Sequence, residues 1–582
     1  MNPDSNPNLQ VTSTLPAKPD NLPDTATRPA AARRRAIRAA DALRELAQFC
    51  AREPLWTGMM LVFIGVWTIE LYWLQAVTLV YPNDTGARYA YWAPKIRLAL
   101  DLLFITTLTL SLRRRWLFVA AIGSSLAYLG LLTYFKYFLK PLSLLTIMTN
   151  WREGLKVGGF AWDMYPRGAA ALLLGALVVK LSALVLSRKA SLPRPCAWTV
   201  AALVFAGYMS LLAVAGFVDP LRFIQTTRGV GRLGHIRGYL GPWFAEWYYL
   251  RGDELLNEVL EKRKINYDRL TPIEVDIPLH RRLVIMQVES LDTNILDYKV
   301  GDIEVTPFLN QLRRDSMYYR VRAMHWQGSA DADFAALNGV AGSARANTYS
   351  IKHVPYANTT PQLLANCGYA ICSFHGNSGD FYERRDAYEQ MGFTEIYFRR
   401  ELEEKFALPA ERWGIQDQEV LRLSAHLLRQ STAPTCHFLI TYTTHTPYMQ
   451  LPAGEREIYP RPETAAQRYL NNMRYFDNCL RDYVTALGRG ATVMLYADHP
   501  AEAFEGYESD RDTSRGLEFI PCMIYDTDQD LSLVQKTRDD PISTDGSLNL
   551  VDVVNYLRTQ VKRNCQATKR LAEEATGVES PQ

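Results

Sequence analysis

Long apolar stretches recur between Leu55 and Val218, whereas beyond Pro278 short apolar runs alternate with amphipathic segments. A helix needs about 20 mostly apolar residues to cross ~30 Å of hydrocarbon. That measure predicts five transmembrane helices, near Leu55–Tyr81, Ile96–Leu112, Trp116–Phe138, Ala169–Leu186 and Trp198–Val218. Glu70, Asp101 and Lys180 fall within or near them. Charges in hydrocarbon are costly, so these three are expected to pair with one another or to reach the interface.

After Pro278 the pattern predicts buried strands at Leu283–Val288, Tyr369–Phe374, His437–Thr441 and Ala491–Tyr496. Between them come helices at Ala330–Gly339, Asp417–Gln430 and Thr464–Leu487, and one opened by Thr360 and Pro361 and closed by Gly368. Alternating strands and helices imply an α/β domain with a mostly parallel sheet covered on both faces. The expected layout is a tail over 1–52, a membrane domain over 53–218, a juxtamembrane connector over 219–277, an α/β catalytic domain over 278–562 and a polar tail over 563–582. Residues 1–27 read as disordered from their Pro, Asn, Asp and Thr content. Trp243, Trp247, Tyr248 and Tyr249 in the connector suit a bilayer surface.

Charge orients the chain. Arg28, Arg33, Arg34, Arg35, Arg38, Arg44 and Arg52 precede the first span, which suits a cytoplasmic tail; Arg113, Arg114 and Arg115, then Arg188, Lys189 and Arg194, fall in loops on the same side. An odd number of spans places the α/β domain outside the cytoplasm, in a cell-membrane protein with a periplasmic or extracellular catalytic half. Lys136, Lys140, Arg152, Lys156 and Arg167 argue against this, partly offset by Glu153 and Asp163. The net charge of +3, with no dense basic patch interleaved with aromatics, gives no support to a nucleic-acid partner. Eight scattered cysteines without a CxxC pair fit neither a zinc ribbon nor a disulfide scaffold, although Cys436, Cys479, Cys522 and Cys565 could pair in an oxidising compartment.

Chemistry concentrates at the carboxyl ends of the strands, where α/β sheets place their sites. Glu289 and Ser290 follow the first strand, His375 and Asn377 another, Thr443, Thr444 and His445 a third, and Asp498 and His499 the last. Glu289, Asp498 and His499 form a carboxylate and imidazole set compatible with manganese or zinc, and less easily with magnesium. A cation that lowers the pKa of a hydroxyl makes a nucleophile at neutral pH. Ser329, in HWQGSADADF at the start of a helix, is the candidate. The helix N-terminus favours a phosphate there. The bland alternative is that Ser329 only caps this helix, with Asp331 and Asp333 in its first turn.

These pieces together resemble the lipoteichoic acid synthase-like family of phosphoglycerol transferases, membrane members of the sulfatase/alkaline phosphatase superfamily. The resemblance runs from about Leu283 to Leu557 through VES (Val288–Ser290), VTPFLNQL (Val305–Leu312), GSADADF (Gly328–Phe334), FHGN (Phe374–Asn377), FYERR (Phe381–Arg385), THTPY (Thr444–Tyr448) and YADH (Tyr496–His499). It implies a sulfatase-like α/β fold behind five membrane helices. It also implies that Glu289, Ser329, Asp498 and His499 hold one divalent metal, typically manganese, and that Ser329 becomes esterified to a headgroup phosphate. His445 matches a substrate-binding histidine, Arg384 an arginine that grips phosphate or headgroup oxygens (with Arg385 adjacent), and His375 lies near the same pocket. The family nucleophile is usually threonine, and tryptophan often stands where this chain has Tyr382. No Cys-x-Pro-x-Arg sequence for formylglycine formation is present, which disfavours sulfatase chemistry.

The expected activity is transfer of a phosphoglycerol-type headgroup from a phospholipid donor, phosphatidylglycerol foremost, to a glycan or polymer hydroxyl of the cell envelope. The alternatives are a phosphoethanolamine transferase or phosphodiesterase with the same metal site, and a non-catalytic membrane scaffold.

Overall fold

The computed structural model describes residues 27–79, 87–138, 141–144, 147–148, 167–190, 192–214, 238–239, 243, 254–264 and 279–576, the last with short interruptions at 327, 345, 411–413, 447, 449–450, 502–505, 513–515 and 537–544. The N-terminal tail over 1–26, the loop bearing Arg152 and Lys156, and Trp247, Tyr248 and Tyr249 lie outside this set.

The N-terminal half is helical: α1 (Thr27–Arg52), α2 (Pro54–Thr78), α3 (Ala87–Ser111), α4 (Arg114–Phe138), α5 (Arg167–Leu186) and α6 (Arg194–Val214). Among the described residues four segments are long and apolar enough to cross a membrane, Pro54–Thr78, Arg114–Lys136, Arg167–Leu186 and Arg194–Leu212. The remaining expected span forms as α3, but Lys95, Arg97 and Asp101 within it make it less apolar than the other four. A multi-pass membrane protein accounts for these helices. Their internal charges are matched. Lys180 of α5 pairs with Glu70 of α2; Ser125 of α4 donates to Glu70 at 3.1 Å and accepts from Lys180 at 3.0 Å. Both carboxylate oxygens of Asp101 accept from Gln75 Nε2, at 3.0 and 3.1 Å. An ion withdrawn from water is tolerated when its partners are this close, and breaking the pair is costly.

The second half is built on one sheet with strand order β4-β10-β8-β1-β7-β5-β6, and a short β9 pairs with β10. The strands are β1 (Arg282–Val288), β4 (Met317–Arg322), β5 (Ala370–His375), β6 (Glu395–Tyr397), β7 (Thr435–Ile440), β8 (Ala491–Ala497), β9 (Arg511–Asp512) and β10 (Leu517–Asp526). A two-residue hairpin, β2 (Lys299–Val300) with β3 (Ile303–Glu304), stands apart. β8, β1, β7, β5 and β6 run parallel, and β10 is antiparallel to both β8 and β4. β1, β7 and β8 are almost wholly buried, as central strands of a doubly covered sheet must be, which is why they read as continuous apolar runs.

In the α/β half the strands and helices expected from the sequence form within a residue or two, with two corrections. The cap of helix Thr360–Asn366 is Thr359 rather than Thr360: its hydroxyl accepts from Gln362 N–H, and Gln362 reciprocates in a capping box. The last helix, Leu550–Thr576, runs on beyond Lys562, where the sequence suggests a tail. Cys436, Cys479, Cys522 and Cys565 form no disulfides.

Two parts of the connector are described, and they serve different halves. Tyr239 belongs to the core of the membrane helices, its hydroxyl 2.8 Å from Thr78 Oγ1, and Trp243 Nε1 donates to the Leu142 carbonyl at 3.0 Å. Helix α7 (Glu254–Lys262) instead buries Val259 in the core of the α/β domain.

Asp477 ties two helices of that domain together. From within Ala465–Leu487 its carboxylate accepts the backbone N–H groups of Phe308 and Leu309 at 3.0 and 2.7 Å. These are first-turn donors of helix Pro307–Asp315, whose own N-cap, Thr306, makes no side-chain cap bond. Burial, against those two donors, pushes the Asp477 carboxyl up to about 6 from an ordinary 3.8. The folded state therefore binds this proton more tightly than the unfolded one. The group's stability contribution is complete below about pH 4 and is lost as pH rises through about 6. Asp477→Asn should remove that part of the slope, so thermal melts across this window should show a flatter pH profile than the parent.

Candidate metal and nucleophile site

β1 and β8 are parallel neighbours in a register that pairs Val288 with Ala497. The next residue on each strand is a carboxylate, Glu289 and Asp498, so the two acids emerge side by side at the carboxyl edge of the sheet. Ser290 turns the chain with φ 53°, a left-handed conformation that a non-glycine residue adopts at some energetic cost. Its N–H donates to Asp498 Oδ1 at 2.9 Å, and its hydroxyl donates to Glu289 Oε1 at 3.1 Å. Two threonines of the neighbouring β7 edge hold the Glu289 backbone: Thr441 Oγ1 accepts its N–H at 3.0 Å, and Thr444 donates to its carbonyl.

Ligand atoms of Glu289, Asp498 and His499 lie within 4.8 Å of one another, and all three residues are buried. His499 Nε2 is 3.2 Å from Glu289 Oε1 and 3.6 Å from Asp498 Oδ2. Its Nδ1 lies 2.8 Å from the Pro500 carbonyl. A carbonyl only accepts, so Nδ1 carries the proton and, in the neutral ring, Nε2 turns a lone pair toward the carboxylates. Asp498 Oδ1 accepts from Ser290 N–H and His499 N–H, whereas Oδ2 is buried without a hydrogen bond. Burial and the Glu289 charge push the Asp498 carboxyl up. Glu289 itself, despite burial, is held well below the usual carboxylate range by His445 and His499. A bare buried oxygen, a directed imidazole lone pair and two crowded acids are the donor set of a divalent cation site, and these residues fit one.

Ser329 stands at the N-cap of the helix Ala330–Asn338, yet its side chain makes no capping bond. Its Oγ donates instead to Glu289 Oε2 at 3.3 Å, and Gln287 Nε2 holds its carbonyl at 3.2 Å. The serine thus faces the acidic cluster, and the cap-only alternative loses its hydrogen bond. Before it, Gly328 has φ +141°, and a Cβ there would meet the Tyr382 hydroxyl at 2.4 Å. Only glycine fits.

The other candidates gather at the same edge. Arg384 is buried, with Nε 2.5 Å from Asp333 Oδ2 and its carbon 5.2 Å from the Tyr382 ring centroid; its Nη2 is buried without a hydrogen bond. Burial works against its charge, and the Asp333 carboxylate outweighs burial to hold the guanidinium above its ordinary value. Arg385 points elsewhere, to Glu401 at 2.6 Å and over Phe398. Of the adjacent pair, Arg384 is the one enclosed with the helix that follows Ser329. His375 is buried edge-on to Phe398 and Tyr442. Its Nδ1 is 3.0 Å from the Ile440 carbonyl, and burial, with Arg384 nearby, lowers its pKa to about 3. His445 is half-buried, its Nδ1 2.5 Å from the Thr446 carbonyl.

Several supporting residues escape sequence reading. Asp333 accepts from Arg384, from Tyr349 OH at 2.8 Å and from Tyr388 OH at 2.9 Å, the bonding pattern of a carboxylate. Asp417 accepts the N–H groups of Tyr442 and Thr443 and fixes the loop that carries His445. His325 stacks on His499 with centroids 4.3 Å apart and pairs with Glu518 at 2.9 Å. The tyrosines have no local signal; His325 and Asp333 could be suspected from HWQGSADADF. A second cluster, His280 with Asp526 and Asp528, lies at the opposite edge of the sheet, where Arg489 and the Gly490 N–H already bind Asp528 Oδ1.

The sulfatase family model matches residues 281–554, the whole of this sheet and its site. The α/β domain is thus similar to the sulfatase/alkaline phosphatase superfamily. Its relatives include a lipoteichoic acid synthase of Staphylococcus saprophyticus, 28% identical over 38% of this chain and 36% of that protein. Lipoteichoic acid synthase 2 of Bacillus subtilis is 25% identical over 42% of this chain and 39% of that one. The chain thus spans about two-fifths of the length of the curated relatives it matches. Among solved structures, lipooligosaccharide phosphoethanolamine transferase A of Neisseria meningitidis aligns over 86% of this chain and 93% of its own, with 12% identity and a TM-score of 0.47. The lipoteichoic acid synthase LtaP of Listeria monocytogenes aligns over 47% and 72%, with 18% identity and a TM-score of 0.38.

The sulfatase-like site yields a direct test. Glu289→Ala and Asp498→Ala should each lower bound divalent metal from near one per chain to background, read by elemental analysis of purified protein. Circular dichroism of the same samples should stay unchanged. Full metal content in both variants would refute the ligand set.

Proposed function

We propose that the protein is a metal-dependent membrane phosphotransferase that moves a phosphoglycerol-type headgroup from a phospholipid, phosphatidylglycerol foremost, to a glycan or polymer hydroxyl. One observation carries the reading: Ser329 Oγ leaves its helix uncapped and turns to Glu289 within the three-ligand cluster. The names of the curated relatives, lipoteichoic acid synthases, support the phosphoglycerol assignment over phosphoethanolamine transfer and over a non-catalytic scaffold.

We assign Glu289, Ser329, Asp498 and His499 as ligands of one divalent ion, manganese before zinc or magnesium. When bound, that ion would lower the pKa of the serine hydroxyl and balance the phosphate's charge. Glu289 Oε2 accepts the Ser329 hydroxyl hydrogen and so holds the nucleophile's orientation. Ser329 Oγ bonds to the donor's phosphorus, the bond from phosphorus to the glyceride oxygen breaks, and diacylglycerol leaves carrying the proton. The acceptor hydroxyl then attacks the phosphoseryl ester, its oxygen replaces Oγ on phosphorus, and the serine regains a proton. The helix N-terminus behind Ser329 favours the anionic group throughout. Arg384 Nη2, buried and without a hydrogen bond, is suited to a phosphate or headgroup oxygen. His445 and His375 are assigned to substrate binding; His375, with its lowered pKa, does so as a neutral ring.

The nucleophile assignment predicts that Ser329→Ala reduces release of diacylglycerol from phosphatidylglycerol to background, while Ser329→Thr retains measurable turnover. A cap-only serine would cost about 0.5–2 kcal/mol of stability and spare the chemistry. Mass spectrometry of the Ser329 peptide should show a phosphoglycerol adduct; a phosphoethanolamine adduct would reassign the donor.

The arginine distribution supports a cytoplasmic N-terminus and an α/β domain outside the cytoplasm. A reporter active only outside the cytoplasm, fused after residue 280, should be active. A stable, inserted but inactive fusion would reverse the orientation.

A further inference from the structure

Helix α7 precedes the matched sulfatase region, yet it touches the nucleophile helix Ala330–Asn338 from both ends. On the approach side, Lys262 Nζ sits 5.0 Å above the ring of Trp326, three residues before Ser329. The Trp326 N–H in turn donates to Asp331 in that helix's first turn at 2.8 Å. On the exit side, Lys262 Nζ donates to the Gly342 carbonyl at 2.5 Å, while Glu258 accepts from Ser343 Oγ at 3.1 Å and from Ala344 N–H at 3.0 Å. Arg263 reaches the Ala357 carbonyl at 3.3 Å and Asn338, the helix's last residue, at 3.5 Å. Lys262 and Glu258 are themselves an i,i+4 ion pair at 2.9 Å.

We propose that α7 is a brace for the nucleophile, with Lys262 as a positioning residue that fixes the approach and exit loops of the Ser329 helix together. The physical case is economy of anchors. A short helix of nine residues has few interactions of its own to hold its N-terminus in register. Ser329 spends its hydroxyl on Glu289 rather than on a cap, and Gly328 before it is intrinsically permissive. Further restraint is supplied from outside by a cation on the Trp326 face and by a carboxylate on the Ser343 hydroxyl and the Ala344 N–H. Val259, fully buried between these contacts, makes α7 part of the catalytic core. Tyr239 and Trp243, earlier in the connector, are fastened instead to the membrane helices.

The catalytic arm of the test rests on the phosphotransferase reading; the structural arm does not. Full-length protein in lipid nanodiscs is compared with Lys262→Met, which keeps the stem and removes the charge, and with Lys262→Arg, which keeps the cation. Trp326→Leu is measured alongside, so that misfolding of one variant leaves the other to decide. Hydrogen exchange of peptides covering 323–330 and 338–346 should quicken about tenfold in Lys262→Met and stay at the parental rate in Lys262→Arg, with β8 unchanged in both. For diacylglycerol release, kcat should fall about tenfold or more in Lys262→Met with KM unmoved, and recover in Lys262→Arg. Unchanged exchange in the Met and Leu variants overturns the brace. So does quickened exchange with undiminished kcat. If exchange quickens but the parent itself cleaves no phospholipid, the brace stands and the phosphotransferase reading fails.

Discussion

Two carboxylates placed on neighbouring parallel strands impose the rest of this site. Glu289 and Asp498 leave β1 and β8 at paired positions, so the register that stabilises the sheet also forces two acids together in its interior. At about 4–5 Å and an effective dielectric of about 20, two such charges repel by roughly 3–4 kcal/mol. The surroundings answer one oxygen at a time: Ser290, His499 and Ser329 take three of the four, and Asp498 Oδ2 is left for a cation. Orientation of His499 follows from the same demand, because the Pro500 carbonyl commits Nδ1 and leaves Nε2 for the cluster. The sulfatase-like fold is in this sense a device for holding a repulsive pair still.

Much of this was legible because parallel strands are buried on both faces and read as unbroken apolar runs. LVIMQV and ATVMLY announced β1 and β8, and the polar residues after each run announced the carboxylate and imidazole cluster. β4 and β10 did not stand out: MYYRVR alternates and carries two arginines, and LEFIPCMIYD holds a proline, so neither resembles a central strand. Ser329 stood out as a candidate through Gly328 and the small, acidic residues that follow, but its freedom from capping depends on a 3.3 Å contact with a residue forty positions earlier. Asp333, Tyr349 and Tyr388 converge from three separate segments, and nothing in local spacing marks them as a cradle for Arg384. In the membrane half, pairing of Glu70 with Lys180 followed from the cost of burying charge; the choice of Gln75 for Asp101 needed the packing of α2 against α3.

Sequence reading also treated the connector as one surface-lying segment. Hydropathy cannot separate a helix that rests on headgroups from one that docks on a protein core, since both show one apolar and one charged face. Val259 resolves the matter for α7, because only a protein partner encloses it completely.

The contact between Gly328 and Tyr382 carries a consequence for how this sequence can change over time. The phenol hydroxyl occupies the space where any side chain at 328 would begin, and φ at 328 is one that L residues rarely adopt. The two positions are therefore locked as a pair. Relatives that retain glycine can exchange the ring at 382 for another flat group, whereas a lineage that enlarged 328 would have to shrink 382 and rebuild the turn in the same step. Drift should be frequent at 382 and nearly absent at 328, an asymmetry set by sterics alone.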